Sequence, residues 1–352
     1  MKVIHIESGL GNQMLSYCEY LALRIMNPEE DFYIETMIYD IPECNDVICQ
    51  WNGYELERIF GIKEPKNIKT LFSKEQWEAI IDEVRASEFW HKNWNYPVYI
   101  TNALNHAGLA LTNMRGNFEA GYKYAMTDEK KKDTLWRRFV ASKLGSTIKR
   151  HYYRLRKAKY VGRNDNRKQL FIKTDKNIFT GQWLSFKMAG NDRHLIDQEI
   201  RETFVFPPFT DTRNQEMAKL LSGCNSIAIH ARRGDMLSGI AWMYKTGYFR
   251  RAVKYIRKHV DNPVFVFFTN TGSIEWCKEN ADTFGLDYQK DKVYFVDWNK
   301  DEESFRDMQL MSYCKHAIIT KSSFGWWGAY FIKNKDKITI SPTIEMDTTY
   351  HC

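Results

Sequence analysis

The chain has 352 residues, enough for two ordinary domains with a hydrophobic core in each. Its hydrophobic content of 43% and aromatic content of 15% exclude an intrinsically disordered protein. The net charge is +7, and no apolar stretch approaches the roughly 20 residues that span a bilayer, so we expect no transmembrane helix.

The first half opens with a predicted strand at Val3–Ile6, a turn at Ser8–Gly11 and a helix at Asn12–Met26. No charged leader followed by an apolar run precedes this strand. The seven cysteines are odd in number and never form a Cys-x-x-Cys pair, which predicts neither a disulfide framework nor a zinc site. Together these features predict a cytoplasmic protein with reduced thiols.

A basic segment, residues 130–168, interrupts the first half. It holds fifteen Lys or Arg and only two acidic residues, so it carries +13 and the rest of the chain carries −6. A stripe of apolar residues recurs at helical spacing within it: Trp136, Val140, Leu144, Ile148, Tyr152 and Leu155. An apolar stripe in a cationic helix is typical of peripheral membrane contact. The alternative is that the stripe packs on the protein, and Gly145 weakens any helix here.

The second half predicts an α/β fold. Prolines at 207 and 208 indicate a boundary, which divides the chain into domains 1–208 and 209–352. Beyond them, short apolar strands alternate with helices and thereby predict a parallel sheet wound with helices. The predicted strands are 226–230, 264–268, 293–296, 317–320 and 337–340, and the predicted helices are 247–259, 273–281, 303–314 and 325–332.

The motif His-Ala-Arg-Arg-Gly-Asp, residues 230–235, follows the first of these strands. Ligands of open α/β sheets bind outside the carboxyl ends of the strands. The forked guanidinium groups of Arg232 and Arg233 match phosphate oxygens, which predicts a phosphate site. The alternative is a surface basic pair that forms a salt bridge with Asp235.

Two further loops follow predicted strands. Ser322 and Ser323 precede a helix, where they could cap its N-terminus and hold a phosphate. The loop Ser-Gly-Leu-Gly-Asn-Gln, residues 8–13, permits a tight turn with Asn12 and Gln13 as donors. It is not a dinucleotide fingerprint, because Met14 stands where a third glycine is required.

Taken together, these motifs resemble glycosyltransferase family 11, the α-1,2-fucosyltransferases. The matching segments are Gly9–Gln13, His230–Asp235, Leu310–His316 and Ser322–Ala329. The family is in turn similar to α-1,6- and protein O-fucosyltransferases. The sequence departs from the family pattern after Gln13 and adds a carboxylate at Glu7, which leaves the acceptor open rather than the donor.

The resemblance implies a GT-B architecture with two Rossmann-like domains facing a cleft, GDP-fucose as donor, inversion, and no metal. It places Arg232 and Arg233 in catalysis and the C-terminal domain at the donor. The implied donor-binding residues are Gly11, Asn12, Gln13, His230, Asn270, Asp307, Ser322, Ser323 and Phe324.

The mechanism follows from charge. Cleavage of the sugar–phosphate bond leaves negative charge on the β-phosphate, and preorganised cations stabilise that charge. The sequence has no Asp-x-Asp to bridge a divalent cation to a diphosphate, so Arg232 and Arg233 would neutralise the departing GDP. Asp235 and Glu7 are both candidates for the general base, and Asp235 could instead orient the two arginines.

Two alternatives remain at this stage. One is a fucosyltransferase of another linkage or acceptor, in place of the transfer to O-2 of a galactoside, lipid-linked or not, that the resemblance implies. The other is a protein that binds nucleic acid or an anionic surface through segment 130–168. The second alternative leaves the phosphate-type loops unexplained and has no aromatic-interleaved recognition motif, so we expect no nucleic-acid partner.

Overall fold

We describe the fold from a computed structural model. It describes residues 1–44, 52–92, 96–114, 176–181, 193–233, 243–270 and 272–342, together with isolated helical positions at 135, 139, 144, 145, 148 and 241. The chain divides into two compact units: unit 1 comprises Met1–Val205 with Met346–Cys352, and unit 2 comprises Phe206–Glu345.

Unit 1 contains a four-stranded parallel sheet in the order β2-β1-β4-β3. The strands are β1 (Lys2–His5), β2 (Phe32–Glu35), β3 (Thr112–Asn113) and β4 (Ile178–Thr180). Its helices are α1 (Leu10–Met26), α2 (Leu56–Phe60), α3 (Lys74–Ala86), α4 (Phe89–Lys92), α5 (Tyr96–His106) and α6 (Arg193–Thr203). Short 3₁₀ turns span Met37–Asp40, Pro42–Cys44 and Ile68–Leu71.

Local sequence explains parts of unit 1. Ser73 and Gln76 form a capping box at the start of α3, where each side chain bonds the other residue's backbone N–H. Helix α1 is buried over most of its length, including the polar residues Gln13 and Glu19. A buried polar side chain needs a partner, and both of these residues bond other parts of unit 1.

Unit 2 contains a five-stranded parallel sheet in the order β7-β6-β5-β8-β9. The strands are β5 (Ser226–His230), β6 (Val264–Phe268), β7 (Lys292–Val296), β8 (His316–Ile319) and β9 (Thr339–Ile340). The helices are α7 (Thr212–Gly223), α8 (Tyr248–His259), α9 (Ile274–Glu279), α10 (Ala281–Phe284), α11 (Phe305–Tyr313) and α12 (Ser323–Tyr330), with a 3₁₀ turn at Asp301–Glu303.

Alternate residues along the strands pack into two hydrophobic cores, one on each face of this sheet. Ile227 and Phe265 lie in one core, while Ala228 and Val266 lie in the other. Because both faces are covered by helices, the strands are continuous apolar runs rather than alternating ones. The sequence prediction of a parallel α/β fold is confirmed, although the helix predicted at 273–281 is two helices, α9 and α10, separated at Asn280.

Candidate functional site

The strand order of unit 2 reverses at β5. The chain runs outward from β5 to β6 and β7, then crosses to β8 on the other side of β5. The carboxyl ends of β5 and β8 are therefore adjacent at a topological switch point, the usual ligand site of open α/β sheets. The loop that begins at Ala231 and the loop at Thr320–Ser322 both leave the sheet here.

Side chains from neighbouring loops hold the backbone of the arginine pair. The N–H of Arg232 donates to Thr320 Oγ1 at 3.3 Å, and the N–H of Arg233 donates to Asn270 Oδ1 at 2.9 Å. The hydroxyl of Tyr244 donates to the carbonyl of Arg232 at 2.6 Å. The loop is thus fixed from β8, from β6 and from the segment that leads into α8, which presents both arginines from a defined backbone.

The two arginines differ in their surroundings. The guanidinium carbon of Arg233 lies 3.3 Å from the centroid of the Trp276 ring and 5.2 Å from that of Tyr244. Burial lowers the pKa of Arg233 from its usual value, and the group stays charged. Arg232 is half-buried. The sequence analysis does not single out Trp276 or Tyr244, although Trp276 lies within the predicted helix 273–281.

His230 is buried at the end of β5. Its Nδ1 lies 3.2 Å from Thr320 Oγ1, and its ring stacks on Phe324 with the centroids 5.9 Å apart. Burial, with a smaller contribution from the charge of Arg232, lowers the pKa of His230 to about 3. The ring is therefore neutral at physiological pH, and it packs and positions rather than neutralising an anion.

Gly325 brings helix α12 against His230. A Cβ at this position would lie 2.7 Å from Cγ of the His230 ring, closer than real Cβ atoms come. Only glycine allows this approach, which carries the N-terminus of α12 to the end of β5. Exposed N–H groups at a helix N-terminus favour anions.

The residues before α12 differ in one respect from the prediction. Ser322 occupies the N-cap position, but its side chain forms no capping hydrogen bond, so the predicted serine cap is wrong in that respect. Ser323 is the first residue of the helix. Lys321, which the sequence reasoning passed over, is partly buried, and burial lowers the pKa of its ammonium group. This adds a second cation at the end of the sheet where Arg232 lies.

Asp307 lies in the first turn of α11 and is buried. Its Oδ1 accepts a hydrogen bond from Asn299 Nδ2 at 2.8 Å, and Asn299 in turn bonds Asn214. Burial raises the pKa of Asp307 to about 8, against the smaller lowering effect of Asn299. Helix α11 leads into β8, so its first turn lies toward the carboxyl end of the sheet, where the sequence predicted a donor contact.

In unit 1, the loop after β1 adopts a constrained turn. Ser8 has a φ of 64°, in the left-handed region that non-glycine residues rarely adopt. Gln13 holds this turn, since its Nε2 donates to the Ser8 and Gly53 carbonyls at 2.9 and 2.7 Å. Asn12 Nδ2 donates to Ser8 Oγ at 3.0 Å, and Gly11 is buried in the first turn of α1.

The amide of Gln13 also accepts a hydrogen bond from the backbone N–H of Glu55 at 2.9 Å. Its polar atoms are therefore engaged by the protein's own backbone, and in this structure it shapes the loop. Glu7, just before the turn, contacts His5 and Tyr96. Asp235, most of segment 130–168 and Gly234 lie outside the described residues.

Among the described residues, no helix is long and apolar enough to cross a membrane. Within the same residues, no group of three or more His, Cys, Asp or Glu side chains is arranged to hold a metal ion. The described cysteines are all free thiols.

Comparison with known proteins gives a family match to the region that contains Arg232, Arg233 and the N-terminus of α12. The family described as Glycosyl transferase family 11 matches residues 194–352. An Escherichia coli alpha-1,2-colitosyltransferase is 33% identical over 172 residues, which cover 47% of this chain and 54% of that protein. A Homo sapiens galactoside alpha-(1,2)-fucosyltransferase 1 is 34% identical over 148 residues, 39% of each chain.

Among solved structures, a NodZ alpha-1,6-fucosyltransferase soaked with GDP-fucose is similar with a TM-score of 0.46 and 9% identity, over 94% of this chain and 92% of that one. The fucosyltransferase NodZ from Bradyrhizobium is similar with a TM-score of 0.45 and 10% identity, over 93% and 91% of the two chains. The matches to the curated relatives span about half or less of those proteins' lengths.

The fold and the site define unit 2 as a parallel α/β domain with a cationic loop at its switch point. Residues 194–352, which include this site, match the model of glycosyltransferase family 11.

Proposed function

We propose that this chain transfers L-fucose from GDP-fucose, with inversion and without a metal ion, to O-2 of a galactoside within a glycan. One observation carries the proposal: the Arg232–Arg233 loop is pinned beside the N-terminus of α12 at the switch point of unit 2. This loop lies inside the region that matches family 11, and the relatives named above are α-1,2-transferases.

The charges support this chemistry. Arg232 and Lys321 place positive charge at the carboxyl end of the sheet, and the N–H groups of α12 add a partial positive charge. A β-phosphate bound there gains negative charge as the bond to the sugar breaks. Cations fixed before the reaction stabilise that transition state more than the ground state. Asp307 is proposed to contact the guanine, and the GT-B architecture is part of the same proposal.

A donor assay in excess EDTA tests the proposal. Purified protein is offered GDP-fucose, GDP-mannose and UDP-galactose with a galactoside acceptor, and the product linkage and anomeric configuration are read by NMR. We expect GDP-fucose to be turned over and the other two donors not. EDTA should not lower this turnover, and the product linkage should be α-1,2. Loss of turnover in EDTA that Mn²⁺ restores would overturn metal independence, and turnover only with another donor would overturn the donor.

A second candidate donor carries colitose, because one relative is named as a colitosyltransferase. Colitose is fucose without the 3-hydroxyl group. A site built to hydrogen-bond a hydroxyl rejects the analogue that lacks it by as much as about 10⁴-fold. The ratio of kcat/KM for GDP-fucose and GDP-colitose therefore separates the two donors, and a ratio above one favours fucose.

We also propose that the protein is cytoplasmic and that segment 130–168 contacts anionic membrane, where a lipid-linked acceptor would be found. The segment's charge of +13 supports this, as do Leu144 and Ile148 of the predicted stripe, which are 65% and 50% exposed. Co-sedimentation with anionic and neutral vesicles at low salt tests it. Equal recovery with both kinds of vesicle, or unchanged binding after Lys149, Arg150, Arg154 and Lys157 are replaced by Gln, would remove the membrane contact.

A further inference from the structure

The side chain of Arg233 lies against the rings of Trp276 and Tyr244 in unit 2, and these three side chains are here called the Trp276 stack. The guanidinium carbon of Arg233 is 3.3 Å from the centroid of the Trp276 ring and 5.2 Å from that of the Tyr244 ring. The two rings meet edge to face at 88°, with their centroids 5.5 Å apart. Because the N–H donors of a guanidinium lie in its plane, a ring against its face leaves those donors pointing outward.

Three connections of the fold bring the Trp276 stack together. Arg233 follows β5, Trp276 lies in α9 beyond β6, and Tyr244 precedes α8. Strands β5 and β6 are parallel neighbours, so their connections leave the sheet side by side at its carboxyl end. The connection after β6 holds Arg233 twice, because Asn270 Oδ1 accepts its backbone N–H at 2.9 Å and Trp276 covers its side chain. Both the backbone and the guanidinium of Arg233 are thus fixed from one neighbouring connection.

The two rings of the stack are themselves packed against the hydrophobic core on one face of the sheet. Trp276 meets the Phe284 ring edge to face with the centroids 6.2 Å apart, and Tyr244 lies 5.2 Å from the Phe249 ring. The hydroxyl of Tyr244 donates to the carbonyl of Arg232 at 2.6 Å. Side chains packed in this way occupy defined rotamers, so Trp276 presents a fixed surface to Arg233.

The guanidinium of Arg233 lacks an anionic partner within the described part of the chain. Among those residues it forms no ion pair and donates no hydrogen bond, although it is half-buried. Arg213 gives the comparison, because it lies 3.9 Å over the Trp298 ring and also pairs with Asp297 at 3.4 Å. A cation partly removed from water is costly without an acceptor, and a guanidinium fork matches phosphate oxygens. An anionic ligand would complete the Arg233 arrangement as Asp297 completes that of Arg213.

We propose that Trp276 is a positioning residue that sets the guanidinium of Arg233 for donation to the diphosphate of the sugar donor, and that Tyr244 supports it. The inference rests on the proposed function and deepens it. Trp276 touches no reacting atom and acts through Arg233 alone. Its ring covers one face of the guanidinium, so the fork is held in one plane before the anion arrives.

The benefit of this arrangement is preorganisation. A long side chain that binds an anion loses rotamer freedom, and the loss weakens binding. Arg233 has already lost that freedom in the stack, so the diphosphate meets a fork that is in place. The cation–π contact also compensates in part for the water that the guanidinium gives up.

A double-mutant cycle on GDP binding, measured by calorimetry, tests the role of Trp276. Trp276→Leu is expected to weaken GDP binding by about tenfold, because the cation–π contact and the preorganisation are both lost. In the Arg233→Met background, which has no guanidinium to position, the same change should weaken binding by less than about twofold. If Arg233→Met binds too weakly for calorimetry, kcat/KM for GDP-fucose completes the cycle.

Two further variants separate positioning from a purely structural role. Trp276→Phe keeps an aromatic face with a weaker attraction for cations, so it should weaken GDP binding by only about threefold and carries the test if Trp276→Leu does not fold. Trp77→Leu is the matched control, since Trp77 is a half-buried tryptophan of unit 1 that packs on Phe72. It should lower the midpoint of thermal unfolding and leave GDP affinity unchanged.

An NMR measurement of the Arg233 side chain gives a readout independent of affinity. The Nε–H resonance of Arg233, assigned by its absence in Arg233→Met, should be shifted upfield by the ring current of the indole. In Trp276→Leu it should return to the ordinary position, and in the wild-type protein it should move when GDP is added. A wild-type resonance at the ordinary position would overturn the inference.

The outcomes for the proposed function and for this inference differ. If the wild-type protein binds no GDP and turns over no donor, the proposed function is overturned, and this inference with it. If the wild-type protein binds GDP but Trp276→Leu causes the same loss in the wild-type and Arg233→Met backgrounds, the inference alone is overturned. A loss confined to the background that retains Arg233 supports it.

Discussion

The two units place a buried histidine at the same point of their sheets. His5 ends β1 and His230 ends β5, and in each sheet that strand lies where the strand order reverses. The pKa of His5 is raised to about 9, whereas that of His230 is lowered to about 3. Burial lowers both values, so it cannot explain the difference.

The neighbouring groups decide whether the pKa of each histidine is raised or lowered. Two carboxylates flank His5, and their effect exceeds that of burial. His230 has a hydroxyl and an aromatic ring as partners and the charge of Arg232 nearby, which acts in the same direction as burial. The strand end of unit 1 therefore holds its histidine between two carboxylates, while that of unit 2 is cationic and suited to a phosphate. The same residue type at the same topological position therefore has its pKa shifted in opposite directions.

The largest expected effect comes from replacing the two arginines at the cationic strand end of unit 2. Arg232→Lys and Arg233→Lys should each lower the rate of transfer by about a hundredfold or more, because loss of one transition-state donor costs about 2.7–4 kcal/mol and Lys cannot fork. Arg233→Lys additionally loses the planar stack on Trp276. Rates at saturating GDP-fucose measure the effect.

Arg257→Lys is the matched control. Arg257 lies in the last turn of α8, which leads into the amino end of β6 and therefore lies away from the arginine loop at the carboxyl end of the sheet. It pairs with Asp291 and should leave the rate unchanged. A Lys variant at 232 or 233 with near wild-type turnover would take that arginine out of the mechanism.

The next largest effect is on the pH dependence of stability, because the pKa values of His5 and His230 are shifted in opposite directions. The raised pKa of His5 contributes stability that is fully present below pH 6.5 and is lost as the pH rises through about 9, a change on the order of 3 kcal/mol. The lowered pKa of His230 acts the other way and costs stability as the pH falls from 6.5 toward 3. Urea unfolding at a series of pH values, compared with His5→Gln and His230→Gln, measures both slopes.

In this comparison, the stability difference between the wild type and His5→Gln should shrink from pH 6.5 to pH 9. The difference between the wild type and His230→Gln should shrink from pH 6.5 to pH 4. Parallel curves for the wild type and His5→Gln across the alkaline range would show that His5 is not the cation that we infer.

The smallest effect concerns the approach of α12 to His230. Gly325→Ala places a methyl group against the His230 ring and should lower the free energy of unfolding by about 1–3 kcal/mol. Gly223→Ala, at a position with open space around it, is the control and should be neutral or mildly stabilising. Thermal unfolding of both variants measures the difference. Equal midpoints would show that the helix shifts without cost.

The sequence by itself determined the sheet of unit 2. Strands β5 and β6 have the predicted bounds, because a parallel strand buried on both faces is a continuous apolar run that can be read locally. Strands β3 and β4, with two and three residues, escaped prediction, since so short a run carries no periodic signal. The arginine loop after β5 and the glycine-rich loop at residues 8–13 could likewise be predicted, because each follows a strand that the sequence predicts.

Only the tertiary structure decided what those loops touch. The stack of Trp276 on Arg233 and the pairing of His5 with Glu35 join residues far apart in sequence, and strand register and helix packing bring them together. A charged or aromatic residue looks the same in a sequence whether its partner is a carboxylate, a ring or water. The sign of a pKa shift depends on that partner. The sequence therefore predicted the two strands that hold these histidines, Val3–Ile6 and 226–230, and the fold alone decided that one has carboxylate neighbours and the other a cation nearby.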